Sequence, residues 1–264
     1  GASLIIENSA AFPYKILEDI KTHGVSGFST VGSYLSLMVK AIKNSGNGEN
    51  FFSSLRYITL AGEATGENDI EFLRFAYPKL QIFVMYGQTE AGARLSYLSP
   101  ELLAAKAGSI GKGLCNTELR VVNEVGGDVK PGEIGEVIAR GASIMKGYWE
   151  DPEATGEVLR NGWLYTGDSA TVDNDGFIYI KGRKNDMIKI LGHRISPVEI
   201  ENVINSLDCV KESAAVESSL GSLPVVKAYI VPEDECSLDE VKKYVCSKLP
   251  GFMCPQIYEI VSKL

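Results

Sequence analysis

Metal-ligand patterns are missing from this chain. It has two histidines, His23 and His193, and five cysteines, Cys115, Cys209, Cys236, Cys246 and Cys254, with no CxxC pair among them. That set does not make a zinc site, and dispersed thiols of this kind fit a reducing cytosol. No run of about 18 consecutive apolar residues occurs, so a membrane-spanning helix is not expected. The opening GASLIIENSA has neither an initiating methionine nor the basic segment of a secretory signal. Also absent are a G-x-S-x-G elbow, a G-x-x-x-x-G-K-[ST] loop and a G-x-G-x-x-G opening a helix. Hydrolase, P-loop and dinucleotide readings therefore lack their motifs, and GSIGKG at Gly108 to Gly113 is too short to stand in for one. Positive charge is in deficit, with 26 Lys and Arg against 34 Asp and Glu and a net charge of -8. This argues against nonspecific nucleic-acid binding, and an anionic ligand must find local positive charge or a metal. Lys189, Arg183 and Arg194 supply such a local patch.

What is present suffices for a core: 264 residues, 45% of them apolar, allow one large domain or two smaller ones. The densest cluster of ionic and glycine residues runs from Trp163 to Glu201. Leu164-Tyr165-Thr166-Gly167-Asp168 reads as an apolar step ending in a tight turn, which leaves a carboxylate on a loop able to accept two hydroxyl hydrogen bonds. Phe177 to Ile180 alternates as a strand and delivers Gly182-Arg183 to its end. Asp186 to Ile190 reads as a strand and Gly192-His193-Arg194 as a turn. A helix follows with Ser196 as N-cap, Pro197 at N1 and Glu199 at N3. Taken singly, each of these is also what an ordinary turn, strand end or helix start looks like.

The first hundred residues alternate strand and helix signals. Leu4 to Ile6 reads as a strand, Pro13 to His23 as a helix and Val25 to Ser29 as a strand. A second helix carries Leu35, Met38, Val39 and Ile42 on one face. Arg56 to Leu60 runs into the loop Gly62-Glu63-Ala64, a helix spans Glu67 to Ala76, and the strand Gln81 to Met85 ends in Tyr86-Gly87-Gln88-Thr89-Glu90. Such a βαβ series implies a parallel sheet whose ligands gather at the carboxyl ends of strands. There Tyr86 offers a ring for stacking on a base, Thr89 a hydroxyl for a phosphate oxygen, and Glu90 a hard oxygen for magnesium. A Tyr-Gly after a strand is also often only a turn. From Gly108 to Gly182 short strands and turns suggest a small β-barrel. The last eighty residues read as an α+β domain whose second helix opens with a capping box, Ser237 to Glu240. The expected division is an α/β subdomain over 1–107, a β-barrel subdomain over 108–184 and a C-terminal α+β domain over 185–264.

In order along the chain, YTGD and then GRKNDMIKILGHRISPVEIE resemble the signature of the adenylate-forming superfamily: acyl-coenzyme A synthetases, peptide-synthetase adenylation domains and firefly-type luciferases. VMYGQTEAG resembles that superfamily's adenine, phosphate and magnesium motif, AGEA its adenine-flanking loop, and KGYWEDPEAT a further segment whose aromatics are read as packing. The resemblance implies a magnesium-dependent ligase that uses ATP to turn a small-molecule carboxylic acid into an acyl-adenylate. A thiol, that of coenzyme A or of a carrier protein's phosphopantetheine, then releases AMP. It implies catalytic roles for Thr89, Glu90, Lys189 and Arg194, with Glu90 on the metal. Nucleotide or cofactor contacts fall to Gly62, Glu63, Ala64, Tyr86, Gly87, Asp168, Arg183 and Gly192. Asn185 marks the hinge of a mobile lid, at a position where many relatives carry aspartate or lysine. The superfamily's glycine- and serine-rich phosphate loop and terminal lysine are not in this chain. The resemblance therefore implies the C-terminal portion of a longer cytoplasmic enzyme with little turnover by itself; a non-catalytic nucleotide-binding module is the alternative.

Overall fold

Three amphipathic helices alternate along the chain with strands of the sheet that carries Tyr86. A computed structural model of the chain describes all residues except 1, 8, 10, 46–49, 64, 65, 191, 192, 222, 234 and 235, so Ala64 and Gly192 lie outside the described residues. Contacts divide the chain into two units. The first comprises Gly1–Arg120, Ile138–Thr166 and Val172–Tyr179; the second comprises Val121–Val137, Gly167–Thr171 and Ile180–Leu264.

In the first unit α1 (Pro13–Thr22), β1 (Gly27–Thr30), α2 (Gly32–Asn44), β2 (Tyr57–Leu60), α3 (Glu67–Ala76) and β3 (Gln81–Gln88) alternate along the chain. Pro13 opens α1 at a position where its missing N–H leaves no bond unmade. Leu35, Met38 and Val39 are buried on α2, the face their spacing predicts, with Ile42 packed beside them. Strands β1, β2 and β3 pair in parallel, and β2 buries three consecutive residues, as a strand covered on both faces should. The sheet is mixed, however. β4 (Gly92–Leu98) runs antiparallel to β3, and β5 (Lys112–Gly113) antiparallel to β4, in the order β1-β2-β3-β4-β5. Only the three-residue turn Thr89–Ala91 joins β3 to β4, far short of the dozen or so residues a parallel crossover needs. Leu4 to Ile6 forms no strand, and Leu4 is 82% exposed. Three apolar residues in a row signal burial but provide no ladder partner.

A second sheet has the order β10-β9-β7-β6. Its strands are β6 (Thr117–Val122), β7 (Gly135–Gly141), β9 (Trp163–Val172) and β10 (Ile178–Arg183), and both units draw residues from them. Between β7 and β9 come the short helix α4 (Pro152–Val158) and β8 (Leu159–Arg160), which pairs with β9.

The second unit continues with the two-stranded ribbon β11 (Ile188–Ile190) and β12 (His193–Ile195). Next come α5 (Pro197–Asn205), β13 (Val210–Leu220), β14 (Leu223–Pro232), α6 (Leu238–Lys248) and β15 (Ile257–Ile260). β13 and β14 form an antiparallel hairpin and β15 adds in parallel to β14. One face of each helix, Ile200 and Ile204 from α5 and Val241 and Val245 from α6, joins Ala215, Val226, Ala228 and Ile230 in one core.

The two expected helix caps fare differently. Ser196 Oγ accepts the Glu199 N–H at 3.1 Å and also donates to the Lys181 carbonyl, while the Glu199 carboxylate lies 3.5 Å from Lys181 Nζ. Ser237 occupies the N-cap position of α6 but makes no side-chain bond to the helix; it is exposed, and water can serve those N–H groups instead. Ser196→Ala should therefore cost about 0.5–2 kcal/mol of stability, and Ser237→Ala less than about 0.5 kcal/mol. Urea unfolding of the two variants checks this, and equal losses would contradict it.

Candidate active site

The site residues fall into two groups, one in each unit. In the first unit β3 extends through Gln88, beyond the strand end expected at Met85, because Tyr86 and Gln88 still find ladder positions opposite Ser96 and Gly92. Gly87 makes this hairpin possible. A Cβ there would stand 2.6 Å from the Ala93 carbonyl oxygen and 2.8 Å from that of Gly92. The Tyr86 ring packs partly buried against a small cluster of Ala91, Leu95, Ala139 and Leu164. Thr89 is exposed and Glu90 half-buried.

Glu90 is held at two points by the segment that follows β7. Its main-chain carbonyl accepts the Met145 N–H at 2.8 Å, and its Oε1 accepts the Tyr148 hydroxyl at 2.8 Å. The expectation that the aromatics of KGYW pack is not met: Trp149 is 89% exposed, and Tyr148, also exposed, is a polar partner of the candidate metal ligand. The bond to Glu90, with some burial and the charges of Glu90 and Asp151, raises the Tyr148 phenol above its ordinary pKa. No local spacing signals this contact, since 58 residues separate the partners. Among the described residues no group of three or more His, Cys, Asp and Glu could hold a metal by itself. A single half-buried carboxylate fits the way magnesium is bound, through one or two carboxylates together with substrate phosphates. Gly62 and Glu63 follow β2, and Glu63 Oε2 accepts the Ser33 N–H at 2.9 Å in the first turn of α2, so this side chain also satisfies a helix terminus.

In the second unit Asp168 lies within β9 and is 8% exposed, not on a loop as expected. Glycine beside aspartate reads locally as a turn, but here Gly167 takes φ +73° inside a continuing strand. Two bonds fix that kink: the Gly167 N–H donates to Glu136 Oε1 at 3.2 Å, and its carbonyl accepts the Lys184 N–H at 2.8 Å. Lys184 Nζ in turn pairs with Glu136 at 2.7 Å. Asp168 Oδ1 lies 3.2 Å from Arg183 Nη1, at the end of β10. The expected neighbourhood of carboxylate and guanidinium is present.

Asn185 sits exposed in the turn between β10 and β11. Lys189 and Arg194 are directly opposite each other in the β11–β12 register, so two cations share one face of the ribbon. Arg194 therefore belongs to a strand and not to the turn expected of it. Its guanidinium pairs with Glu124, which offsets the repulsion, while Lys189 is exposed.

A cavity of about 460 Å³ opens beside Arg183 and Asn185 and is lined further by Pro197, Val198, Glu201 and Ala215. Burial pushes the Glu201 carboxyl above its ordinary pKa, against the opposing effect of the Ala215 N–H bond at 2.8 Å. A carboxyl raised in the fold contributes stability only while protonated. That contribution is present below the ordinary carboxylate pKa and lost as pH rises through the folded one. Glu201→Gln keeps an acceptor for Ala215 and removes the buried charge, so it should raise the melting temperature near neutral pH by roughly 1–3 °C. The gain should shrink toward about pH 4; a melting temperature lowered at neutral pH would contradict this.

The family of AMP-binding enzymes matches residues 1–149, and the AMP-binding enzyme C-terminal domain matches residues 199–264. A long-chain-fatty-acid–CoA ligase of Salmonella typhimurium is 38% identical over 181 residues, covering 68% of this chain and 32% of the relative. The o-succinylbenzoate CoA synthetase of Bacillus subtilis, solved with its acyl-adenylate intermediate, aligns with TM-score 0.85 and 29% identity over 96% of this chain and 51% of that one. The same enzyme solved with ATP and a magnesium ion aligns with TM-score 0.84 and 30% identity, covering 96% and 51%. The chain thus spans between about a third and a half of the length of these relatives. Since residues 1–149 alone are more than half of its 264 residues, the chain belongs to the family of AMP-binding enzymes.

Proposed function

We propose that the chain is part of an ATP-dependent, AMP-forming acyl-coenzyme A synthetase. In the first step a carboxylate oxygen attacks the α-phosphate of ATP, pyrophosphate leaves, and an acyl-adenylate forms. In the second the thiol of coenzyme A attacks the acyl carbon and AMP leaves. The observation that carries the reading is the buried Asp168 carboxylate, fixed in β9 and backed by Arg183 at 3.2 Å, which suits two vicinal ribose hydroxyls. The likeness to a CoA synthetase solved with its acyl-adenylate supports it.

Phosphoryl chemistry of this kind needs positioning and neutralisation of charge more than a side-chain nucleophile. In our reading Gly62, Glu63 and Ala64 and the Tyr86-Gly87 strand end take the adenine, Thr89 donates to an α-phosphate oxygen, and Glu90, steadied by Tyr148, holds magnesium. Asp168 and Arg183 serve the ribose. Lys189 and Arg194 bring positive charge to anionic groups, and Gly192 leaves room for pantetheine. Residues 1–107 form the second half of an α/β nucleotide-binding subdomain, 108–184 a small β-barrel subdomain, and 185–264 a lid that turns about Asn185 between the two half-reactions. The acid is a small-molecule carboxylic acid, fatty or aromatic, and a reducing cytoplasm suits the chain's free cysteines.

The test is to assay the half-reactions separately in the complete enzyme: acid-dependent exchange of pyrophosphate into ATP, and thioester formation. Lys189→Ala should leave exchange within about twofold and lower thioester formation by about tenfold, as expected for a charge used only after the lid turns. Absence of acid-dependent exchange in the unmodified enzyme would overturn the function. An equal fall of both activities would overturn the assignment of Lys189 to the second step.

A further inference from the structure

Four of the five cysteines, Cys209, Cys236, Cys246 and Cys254, lie in the second unit, and none has a part in the chemistry proposed above. Cys209 immediately precedes β13 and Cys236 follows β14, 27 residues apart in sequence. The hairpin folds these two chain segments onto each other. Val210 is in register with Pro232, and the Glu233 N–H donates to the Cys209 carbonyl at 2.9 Å. Both side chains are partly buried against the core that also packs Leu207 and Leu238, and their Sγ atoms stand 2.6 Å apart. A covalent S–S bond is about 2.05 Å long, so closing it asks for movement of only about half an ångström.

We propose that Cys209 and Cys236 form a redox modification site, a dithiol that converts reversibly to an intramolecular disulfide by exchange with a low-molecular-weight disulfide of the glutathione type. One cysteine thiolate attacks a sulfur of the oxidant, breaking its S–S bond, forming a mixed disulfide and releasing one small thiolate that takes up a proton. The second cysteine, deprotonated, attacks the protein-bound sulfur, forming the Cys209–Cys236 bond and expelling the second small thiol. The protein loses two protons and two electrons, and the oxidant gains them as two thiols. The second step is intramolecular between sulfurs already in contact, which favours the closed disulfide over a lasting mixed one.

Burial, then the hydrogen bond and charge of Cys209, push the Cys236 thiol up to about 11. It stays largely protonated at neutral pH, which slows its part in the exchange. By contrast, Cys115 is exposed and should simply acquire removable glutathione. The bond would tie the entry of β13 to the approach of α6 and restrict the unfolded chain over the whole hairpin. Oxidation should then raise the melting temperature by roughly 5–10 °C.

The test incubates the folded chain with oxidised glutathione, blocks free thiols, and maps peptides by mass spectrometry without reduction. The expected result is a peptide containing Cys209 joined to one containing Cys236. The pair loses two hydrogens, dithiothreitol reverses the change, and the thermal shift disappears in both Cys209→Ser and Cys236→Ser. If Cys209 and Cys236 remain free thiols, or carry glutathione without joining, the proposal is overturned. Because serine is close to cysteine in size, circular dichroism of the two variants should show the same fold; the peptide map of the unmodified chain decides the question even where a variant is unstable.

Discussion

Asp168→Ala is expected to weaken AMP binding by about thirty- to a hundredfold. A buried carboxylate that accepts two ribose hydroxyls makes charge-assisted bonds worth about 1.5–3 kcal/mol each at most, and about 1.4 kcal/mol is tenfold in affinity. Water entering the vacated space recovers part of that, which brings the net loss to roughly 2–3 kcal/mol. Asp168→Asn keeps one acceptor oxygen and should lose less. The fold should survive both changes: the Arg183 side chain is 57% exposed, so its charge remains solvated once its partner is gone. Calorimetric titration with AMP, alongside a melting curve for each variant, separates binding from folding. Unchanged affinity in a folded Asp168→Ala would remove the ribose role.

Gly87→Ala should damage the β3–β4 hairpin through a single added methyl. The added Cβ would sit 2.6 Å from the Ala93 carbonyl oxygen and 2.7 Å from its carbon, both of them backbone atoms that no rotamer change can clear. Relieving the overlap means prising β4 from β3, and overpacking of this kind costs about 1–3 kcal/mol, or roughly 2–12 °C in melting temperature. Thr89 and Glu90 begin the turn beyond Gln88, so the same displacement should also weaken binding of magnesium-ATP. Gly156→Ala is the matched control. It lies in α4 with open space where its Cβ would go, and alanine there should be neutral or stabilise by up to about 1 kcal/mol. If Gly87→Ala melts with the unmodified chain, the close approach does not constrain the hairpin.

Legibility from sequence followed the range of the interactions involved. Period and capping are local, so α2 with its Leu35, Met38 and Val39 face, α3 at Glu67–Ala76 and the Ser196 cap of α5 are all readable. The βαβ pattern does not contain the antiparallel return of β4, although the three residues between the strands are too few for any other connection. Asp168 is legible as a candidate, but the glycine before it points to a loop where the structure has a strand. The strand around Gly167 is held by Glu136, 31 residues away, and no local rule contains that bond. The same holds for Tyr148 on Glu90 and for the two sulfurs of Cys209 and Cys236, which only the closed hairpin brings together. A glycine-histidine-arginine step reads as a turn, whereas the register of Arg194 opposite Lys189 is a property of the pair of strands.

The most direct test of the central claim, that this chain holds the ribose of an adenine nucleotide on Asp168, is a thermodynamic cycle. Binding of AMP and of its 2′-deoxy analogue would be measured by calorimetry on the unmodified chain and on Asp168→Ala. The account predicts that removing the hydroxyl costs the unmodified chain about tenfold or more and costs Asp168→Ala almost nothing, a coupling of at least about 1 kcal/mol. Equal penalties in the two proteins would mean that the carboxylate and the hydroxyl do not meet, and would contradict the account.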